Sequence, residues 1–199
     1  MNTIEILSVV LAIAMALLIL VTAFIPGANL LREQVDPRSK FSFSKFQLWL
    51  WTLIISPCVA LHWGYHYSSP EFDYINATSL ILLAISGTTT LTSSIIKQVQ
   101  FSGQKSDGNY LASKGLTTLK SIGDSKGFWE DILSDDNGQI SIARLQNLIF
   151  TFIFLAVYIA IFFKDKDMQY VDFGPSGSHP YVLMGISSGT YLVARGMFK

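Results

Sequence analysis

The sequence predicts an all-α membrane protein, a helical bundle of about five transmembrane helices. Half of its 199 residues are hydrophobic and only 14% are charged, whereas soluble domains carry about 25% charged residues. The charges cluster in a few segments and leave long apolar stretches between them. Because a helix rises about 1.5 Å per residue, roughly 17–25 apolar residues cross the hydrocarbon core of a bilayer.

Five apolar stretches approach or meet this length, at residues 4–25, 46–63, 79–96, 145–163 and 181–198. A cleaved signal peptide is the alternative for the first, but such peptides begin with a positive segment and have a shorter apolar core. Here Glu5 lies near the start, and no Lys or Arg precedes Arg32. We therefore expect the first stretch to be a transmembrane helix that ends at Pro26.

The positions of Lys and Arg predict the orientation, because cytoplasmic connections carry an excess of these residues. The 26–45 and 97–144 connections hold ten of the fourteen, and two more lie near the C-terminus. The 64–78 connection holds none, and 164–180 holds two. With five spans these groups alternate, which predicts an inner (plasma) membrane protein with its N-terminus outside and its C-terminus in the cytoplasm.

A weak internal duplication divides the chain. Segment 42–52 aligns with segment 141–151. Each begins with Ser, has a cation three residues later, then an apolar residue and Gln, and ends with an aromatic residue followed by Thr. Farther along the chain, 86–88 aligns with 188–190, since both read Ser-Gly-Thr. The predicted organisation is a leading helix (1–26), a first hairpin (27–97), a cytoplasmic connection (98–140) and a second hairpin (141–199). Both hairpins start and end inside, which predicts parallel repeats related by an axis along the membrane normal; chance similarity is the alternative.

The repeated positions predict helix-packing residues. A buried amide in lipid needs a partner on a neighbouring helix, and small residues let helix backbones approach closely. On this basis we expect interhelical contacts, including self-association into a homo-oligomer, at Gln47, Gln146, Gly87 and Gly189.

The other repeated residues lie at the predicted helix starts. Ser42 and Ser141 precede their helices and are predicted to cap them. Lys45 and Arg144 are predicted to extend towards the lipid headgroups of the cytoplasmic leaflet.

The stretch from Arg144 to Thr151, together with Gly-Ile-Ser-Ser-Gly-Thr-Tyr at 185–191, resembles a pattern of small bacterial membrane proteins of unknown function. The resemblance covers roughly the C-terminal third, and the first hairpin more loosely. It implies a bacterial inner-membrane location and carries no activity.

The cytoplasmic connection contains two different parts. Its portion at 101–126 is rich in Gly, Ser, Lys and Thr, which predicts a loop with a short helix near 110–119. The next segment predicts a short amphipathic helix against the inner leaflet, with a turn packed on the helix ends as the equal alternative. Its apolar face, a candidate surface for a partner or for the membrane, consists of Phe128, Trp129, Ile132 and Leu133.

Chemical sites are sparse in this sequence. It contains no phosphate loop, zinc signature or nucleophile elbow, and its middle-of-membrane segments contain no Asp, Glu, Lys or Arg. His62 and His66 share a helix face at a spacing that suits metal ligands, although interfacial packing explains them equally simply. We therefore predict no enzyme, no metal and no cofactor, and a formal net charge of zero argues against nucleic acid as a partner.

Two functions fit these features. The first is a membrane assembly or sensor subunit that engages a soluble partner through its cytoplasmic connection. The second is an oligomeric channel whose pore is lined by hydroxyls of the third span, with Thr88 and Thr92 as the candidate lining residues.

Overall fold

The computed structural model describes residues 2–25, 29–33, 39–68, 75–113, 125–134, 139–165, 171 and 179–197. These residues form an all-helical structure, apart from two isolated β-bridges. The helices are α1 (Thr3–Phe24), α2 (Phe43–His66), α3 (Ala77–Ser113), α4 (Phe128–Leu133), α5 (Ile142–Asp165) and α6 (His179–Met197). The predicted all-α helical bundle is confirmed.

Four helices in the described part are long and apolar enough to cross a membrane, over Thr3–Ala23, Phe43–His66, Ala77–Ile96 and Ile142–Lys164. The fifth predicted span corresponds to α6, whose apolar part, Tyr181–Val193, is shorter. The protein is therefore a multi-pass helical membrane protein, and a fifth span at α6 stays a prediction.

Four helices form a ring in the order α2, α3, α6, α5, and α1 packs on the outside against α2. Hydrogen bonds pair residue 47 with 147 and 151, and residues 78 and 93 with 181 and 191. The Trp51 and Tyr158 rings, 6.3 Å apart, give a second contact between α2 and α5. Residue numbers rise together from one contact to the next in both helix pairs, so α2 runs parallel to α5 and α3 runs parallel to α6. The helices that the duplication equates, α2 with α5 and α3 with α6, are therefore parallel neighbours in the ring.

The lipid-facing surface follows from this packing. Helix α1 exposes large apolar residues on most of its faces and buries only Ser8 and Ala12. Helix α5 exposes an apolar stripe that includes Leu145, Ile149 and Phe152. Such surfaces are stable only where hydrocarbon covers them, in agreement with a membrane location.

Helix α3 corrects one expectation. The connection after its span was predicted to be a loop from residue 101, yet the helix continues unbroken from Ala77 through Ser113. No proline interrupts it, and single glycines cost a helix only about 1 kcal/mol each. The composition at 101–113 therefore weakened the prediction of helix without preventing the helix itself. The remainder of the predicted loop, at 114–124, lies outside the described residues.

Candidate functional site

A buried layer of polar side chains joins three of the four ring helices. Gln47 Nε2 on α2 donates to Asn147 Oδ1 at 3.2 Å and to Thr151 Oγ1 at 3.0 Å, both on α5. Asn147 Nδ2 in turn donates to Ser188 Oγ on α6 at 3.4 Å. All four residues are at most 3% exposed. Lipid offers these groups no partner, so the bonds hold the helices together where no hydrophobic force does.

Gln47 thus lies where the sequence predicted, in the interior against another helix, but its repeat counterpart does not. Gln146 is on the exposed face of α5, and the next residue, Asn147, takes the inward position. The signal for this was present, because Arg144, Asn147, Thr151 and Tyr158 recur at helical spacing and share one face of α5. The repeat alignment gave more weight to residue identity than to that periodicity.

A second set of polar contacts lies towards the opposite end of the ring. Ser79 on α3 is 2.8 Å from the hydroxyl of Tyr158 on α5 and bonds to Asn76 Oδ1 at 2.5 Å. Thr78 bonds to Tyr181 on α6. An apolar cluster that includes Ile55, Leu82, Phe154 and Met184 fills the ring between the two polar levels.

The glycines predicted to allow close helix approach do not do so within one chain. A Cβ placed on Gly87 or Gly189 would meet nothing within 4 Å. The close approach instead involves Gly64 on α2, where an added Cβ would lie 1.9 Å from Ser8 Oγ and 2.1 Å from Ser8 Cβ. Sequence reasoning missed Gly64, because its partner is 56 positions away and carries no pattern that identifies it.

The hydroxyls of α3 were the candidate pore lining. Thr88 is exposed and Thr92 is half-buried on the outside of the ring helices. Their neighbours Thr89, Thr90 and Ser94 each donate to the carbonyl four residues earlier, at 2.7–2.9 Å. Such bonds satisfy a hydroxyl within its own helix, so these side chains do not require a water-filled lumen.

Helix α4 packs against the ends of α2 and α5, as the alternative to a membrane-surface helix predicted. Ile132 is fully buried in a second apolar cluster, which also contains Phe46 and Leu148, and Leu133 packs against this second cluster. The Phe128 ring lies 5.2 Å from those of Phe41 and Phe46, edge to face in each case. Of the four predicted surface residues, only Trp129 is exposed, at 59%.

The Asp131 carboxylate holds α4 to the first half of the chain. It is 3% exposed and accepts hydrogen bonds from the Phe41 backbone N–H at 3.2 Å, from Ser125 Oγ at 2.6 Å and from the Lys126 N–H at 3.2 Å. Hydrogen bonds to a charged group are the stronger ones. The Asp131 side chain therefore joins the segment before α4 to Phe41, two residues before the start of α2.

The two repeated cations, Lys45 and Arg144, make the same kind of contact, which differs from the predicted extension towards the headgroups. Lys45 Nζ donates to the carbonyl of Arg32 at 2.8 Å, and Arg144 Nη1 donates to the carbonyl of Ser134. Arg144 is 6% exposed and also lies 5.4 Å from the centre of the Tyr191 ring. Each cation bonds to a backbone carbonyl in the segment that leads into its helix, instead of extending to the headgroups.

The segments before α2 and α5 also share a backbone pattern. Residues 32 and 41 form an isolated antiparallel bridge, as do 134 and 140. In each case the N–H of the following serine, Ser42 or Ser141, donates to the carbonyl of residue 31 or 133. Ser141 accepts from the Arg144 N–H at 3.5 Å, near the limit for a cap. Ser42 occupies the cap position without capping, and its hydroxyl contacts Ser44.

No group of three or more His, Cys, Asp or Glu side chains that could hold a metal is found in the described part of the chain. His62 is 1% exposed, and its ring centre is 5.0 Å from that of His66. The side chain of His179 is outside the described residues.

The fold and these contacts define a class: a multi-pass helical membrane protein with a polar-bonded ring of helices and a small helix docked on one end. No protein-family model, no curated protein and no solved structure matches the chain. The function must therefore be argued from the geometry alone.

Proposed function

We propose that the protein is a non-enzymatic membrane subunit that self-associates in the bilayer and engages a soluble partner on its cytoplasmic side. The observation that carries this proposal is the length of α3. Its apolar span ends at Ile96, and the helix then continues to Ser113, a further 17 residues or about 25 Å. A helix of that length outside the membrane provides an extended surface for a protein partner.

The docked helix α4 also supports a partner-binding surface on the cytoplasmic side. Asp131 and Arg144 fix α4 to the ends of the ring, so it cannot swing freely, and Trp129 faces outward from this fixed support. Exposed tryptophans on rigid elements are favoured anchors at protein interfaces. The Lys and Arg distribution assigns this end of the bundle to the cytoplasm.

Gln146 supports self-association. It is exposed on α5 beside Leu145 and Ile149, which are 38% and 48% exposed. A lipid-facing amide gains a hydrogen bond when a second helix covers it. Replacement of Gln146 by Leu is expected to lower the oligomeric fraction in liposomes several-fold, as measured by single-molecule photobleaching of labelled protein. Ile153→Leu, two turns along the same face and 48% exposed, serves as the apolar control, and equal loss in both variants would contradict a role for the amide.

Photo-crosslinking in intact bacterial cells tests the partner directly. A photoreactive amino acid in place of Trp129 is expected to give a discrete adduct with a soluble protein. The same amino acid in place of the lipid-facing Val157 is the control and should give no such adduct. The adduct partner, once purified, should bind the wild-type protein in nanodiscs and bind Trp129→Ala at least tenfold more weakly. Equal binding to both proteins would refute the proposed surface.

Conductance in planar bilayers tests the channel alternative. The subunit proposal predicts no current at protein densities at which oligomers are observed. Reproducible currents altered by Thr92→Leu or Thr88→Leu would overturn it in favour of a pore.

A further inference from the structure

Four buried polar atoms have no hydrogen-bond partner among the described residues: Gln47 Oε1, Trp51 Nε1, Ser86 Oγ and Ser187 Oγ. Their side chains are at most 2% exposed. A buried polar group without a partner destabilises a fold by about 1–3 kcal/mol, so each such group in a native structure calls for an explanation.

Three of these atoms, Gln47 Oε1, Ser86 Oγ and Ser187 Oγ, lie at one level of the ring. Helices α3 and α6 bond to each other at Thr78–Tyr181 and at Ser93–Tyr191, and both Ser86 and Ser187 lie between these bonds. Helix α2 runs antiparallel to α3, and Thr90 bonds to the Ser44 carbonyl at 3.0 Å. Ser86 lies one turn from that contact on α3, and Gln47 lies one turn from it on α2. Because the two helices are antiparallel, both residues are at the same depth.

The α5–α6 contact links this level to the polar layer already described. Ser187 adjoins Ser188, the acceptor of the bond from Asn147. All four helices of the ring therefore place a buried polar side chain at the same depth: Gln47, Ser86, Asn147 and Ser187.

The two serines differ from three threonines on the same helices. Thr89, Thr90 and Thr190 donate to the carbonyl four residues earlier, at 2.7–2.8 Å. Ser86 and Ser187 make no such bond. They are therefore free to bond to a molecule inside the ring.

The unused atoms specify the chemistry of that molecule. Both Nε2 protons of Gln47 are engaged with α5, which leaves its Oε1 as an acceptor. Trp51 Nε1, one turn away on α2, is a donor, and the serine hydroxyls can act as either. No charged group belongs to this set, so an ion would lack a counter-charge. The best match is a small neutral molecule with both donors and acceptors.

We propose that the ring encloses a water-binding site bounded by Gln47, Trp51, Ser86 and Ser187, in which one or two ordered water molecules complete the bonds of the polar layer. Buried waters in proteins typically make about three such bonds. The apolar cluster of Ile55, Leu82, Phe154 and Met184 separates this site from the opposite end of the ring. The water is therefore sequestered and does not belong to a continuous passage.

X-ray radiolytic labelling of the full-length protein in detergent tests the proposal, because hydroxyl radicals formed from a bound water modify the side chains that touch it. Trp51, which is 0% exposed, is the reporter, and Phe162, which is 1% exposed in the opposite half, is the buried reference. We expect Trp51 to be modified at least fivefold faster than Phe162, and at most twofold slower than the exposed Trp129. A Trp51 rate equal to that of Phe162 would overturn the site.

Two variants separate bound water from protein motion. Gln47→Met should lower Trp51 modification at least threefold and leave Trp129 modification unchanged. Because that change also breaks interhelical bonds, Ser187→Val, which fills volume at the site, is the second variant and should have the same effect. An unchanged Trp51 rate in a folded variant would refute the assignment. Brief mixing with ¹⁸O-labelled water before the pulse should label Trp129 at once and Trp51 with a delay. Simultaneous labelling would overturn sequestration and indicate a passage open to solvent.

Discussion

At the residue scale, Gly64 is a position of close contact between α1 and α2. A methyl group there would overlap Ser8, and Trp49 Nε1 donates to the Ile19 carbonyl farther along the same antiparallel pair, at 3.0 Å. The absence of a side chain at residue 64 therefore determines how α1 lies on the ring.

We predict that Gly64→Ala destabilises the protein by about 1–3 kcal/mol, the usual effect of overpacking, seen as a lower midpoint of thermal unfolding in detergent. Adding Ser8→Gly should restore most of the loss, because it removes both atoms that the new methyl group would strike. Gly87→Ala is the matched control and should be neutral or slightly stabilising, since its Cβ meets nothing within 4 Å. Similar losses at both glycines would contradict the proposed contact.

Gln47 is the other residue on which the ring depends, since it bonds to two side chains of α5. We expect Gln47→Leu to lower stability by about 1–2 kcal/mol, within the range measured for interhelical hydrogen bonds in membranes. The same measurement on Gln146→Leu at low protein-to-lipid ratio, at which chains are monomeric, should show little change because that side chain is exposed. Comparable effects in the two variants would mean that the amide bond contributes nothing specific.

At the element scale, α4 is too short to be stable alone, since isolated helices shorter than about 12 residues are marginal. Its six residues depend on tertiary contacts: the buried Ile132, the bonds to Asp131 and the bonds from Arg144. Its salt bridge between Lys126 and Glu130, 3.5 Å long and exposed, adds little, because surface pairs are worth about 0–1 kcal/mol.

Asp131→Asn is therefore expected to release α4 while leaving the membrane helices folded, because a neutral amide is a weaker acceptor for three donors. Hydrogen exchange of residues 126–134 should become at least tenfold faster, with α2 and α5 unchanged. Glu130→Gln, one position earlier, is the control and should leave the exchange of this segment as in the wild type. Uniform acceleration along the whole chain would instead indicate global destabilisation.

At the scale of the whole molecule, the segments that lead into α2 and α5 make similar contacts. A cation at the third helical residue bonds to a carbonyl thirteen residues earlier in one half, at Lys45, and ten residues earlier in the other, at Arg144. A β-bridge precedes each of these helices. The local architecture at the two places is similar, and a common origin of the two hairpins stays a prediction.

Orientation in the membrane also belongs to this scale. In a Cys58→Ala background, Tyr67→Cys and Trp129→Cys provide one exposed thiol near each end of the bundle. A membrane-impermeant maleimide added to intact cells should modify residue 67 and spare residue 129, and inside-out vesicles should give the opposite result. Modification of both residues from one side would refute the predicted topology.

The sequence by itself located the four long apolar helices, because an apolar stretch of about twenty residues has few other stable states in a bilayer. It also identified Gln47 as an interior amide, since its polarity stands out within an apolar helix. The faces of the helices were decided only by the tertiary structure. Whether Gln146 or Asn147 points inward, whether Gly64 or Gly87 lies at a contact, and whether Arg144 meets a headgroup or a carbonyl all depend on how each helix is rotated against its neighbours. In lipid, where the outward face of each helix is apolar like much of its inward face, that rotation is set by packing and hydrogen bonds between distant residues.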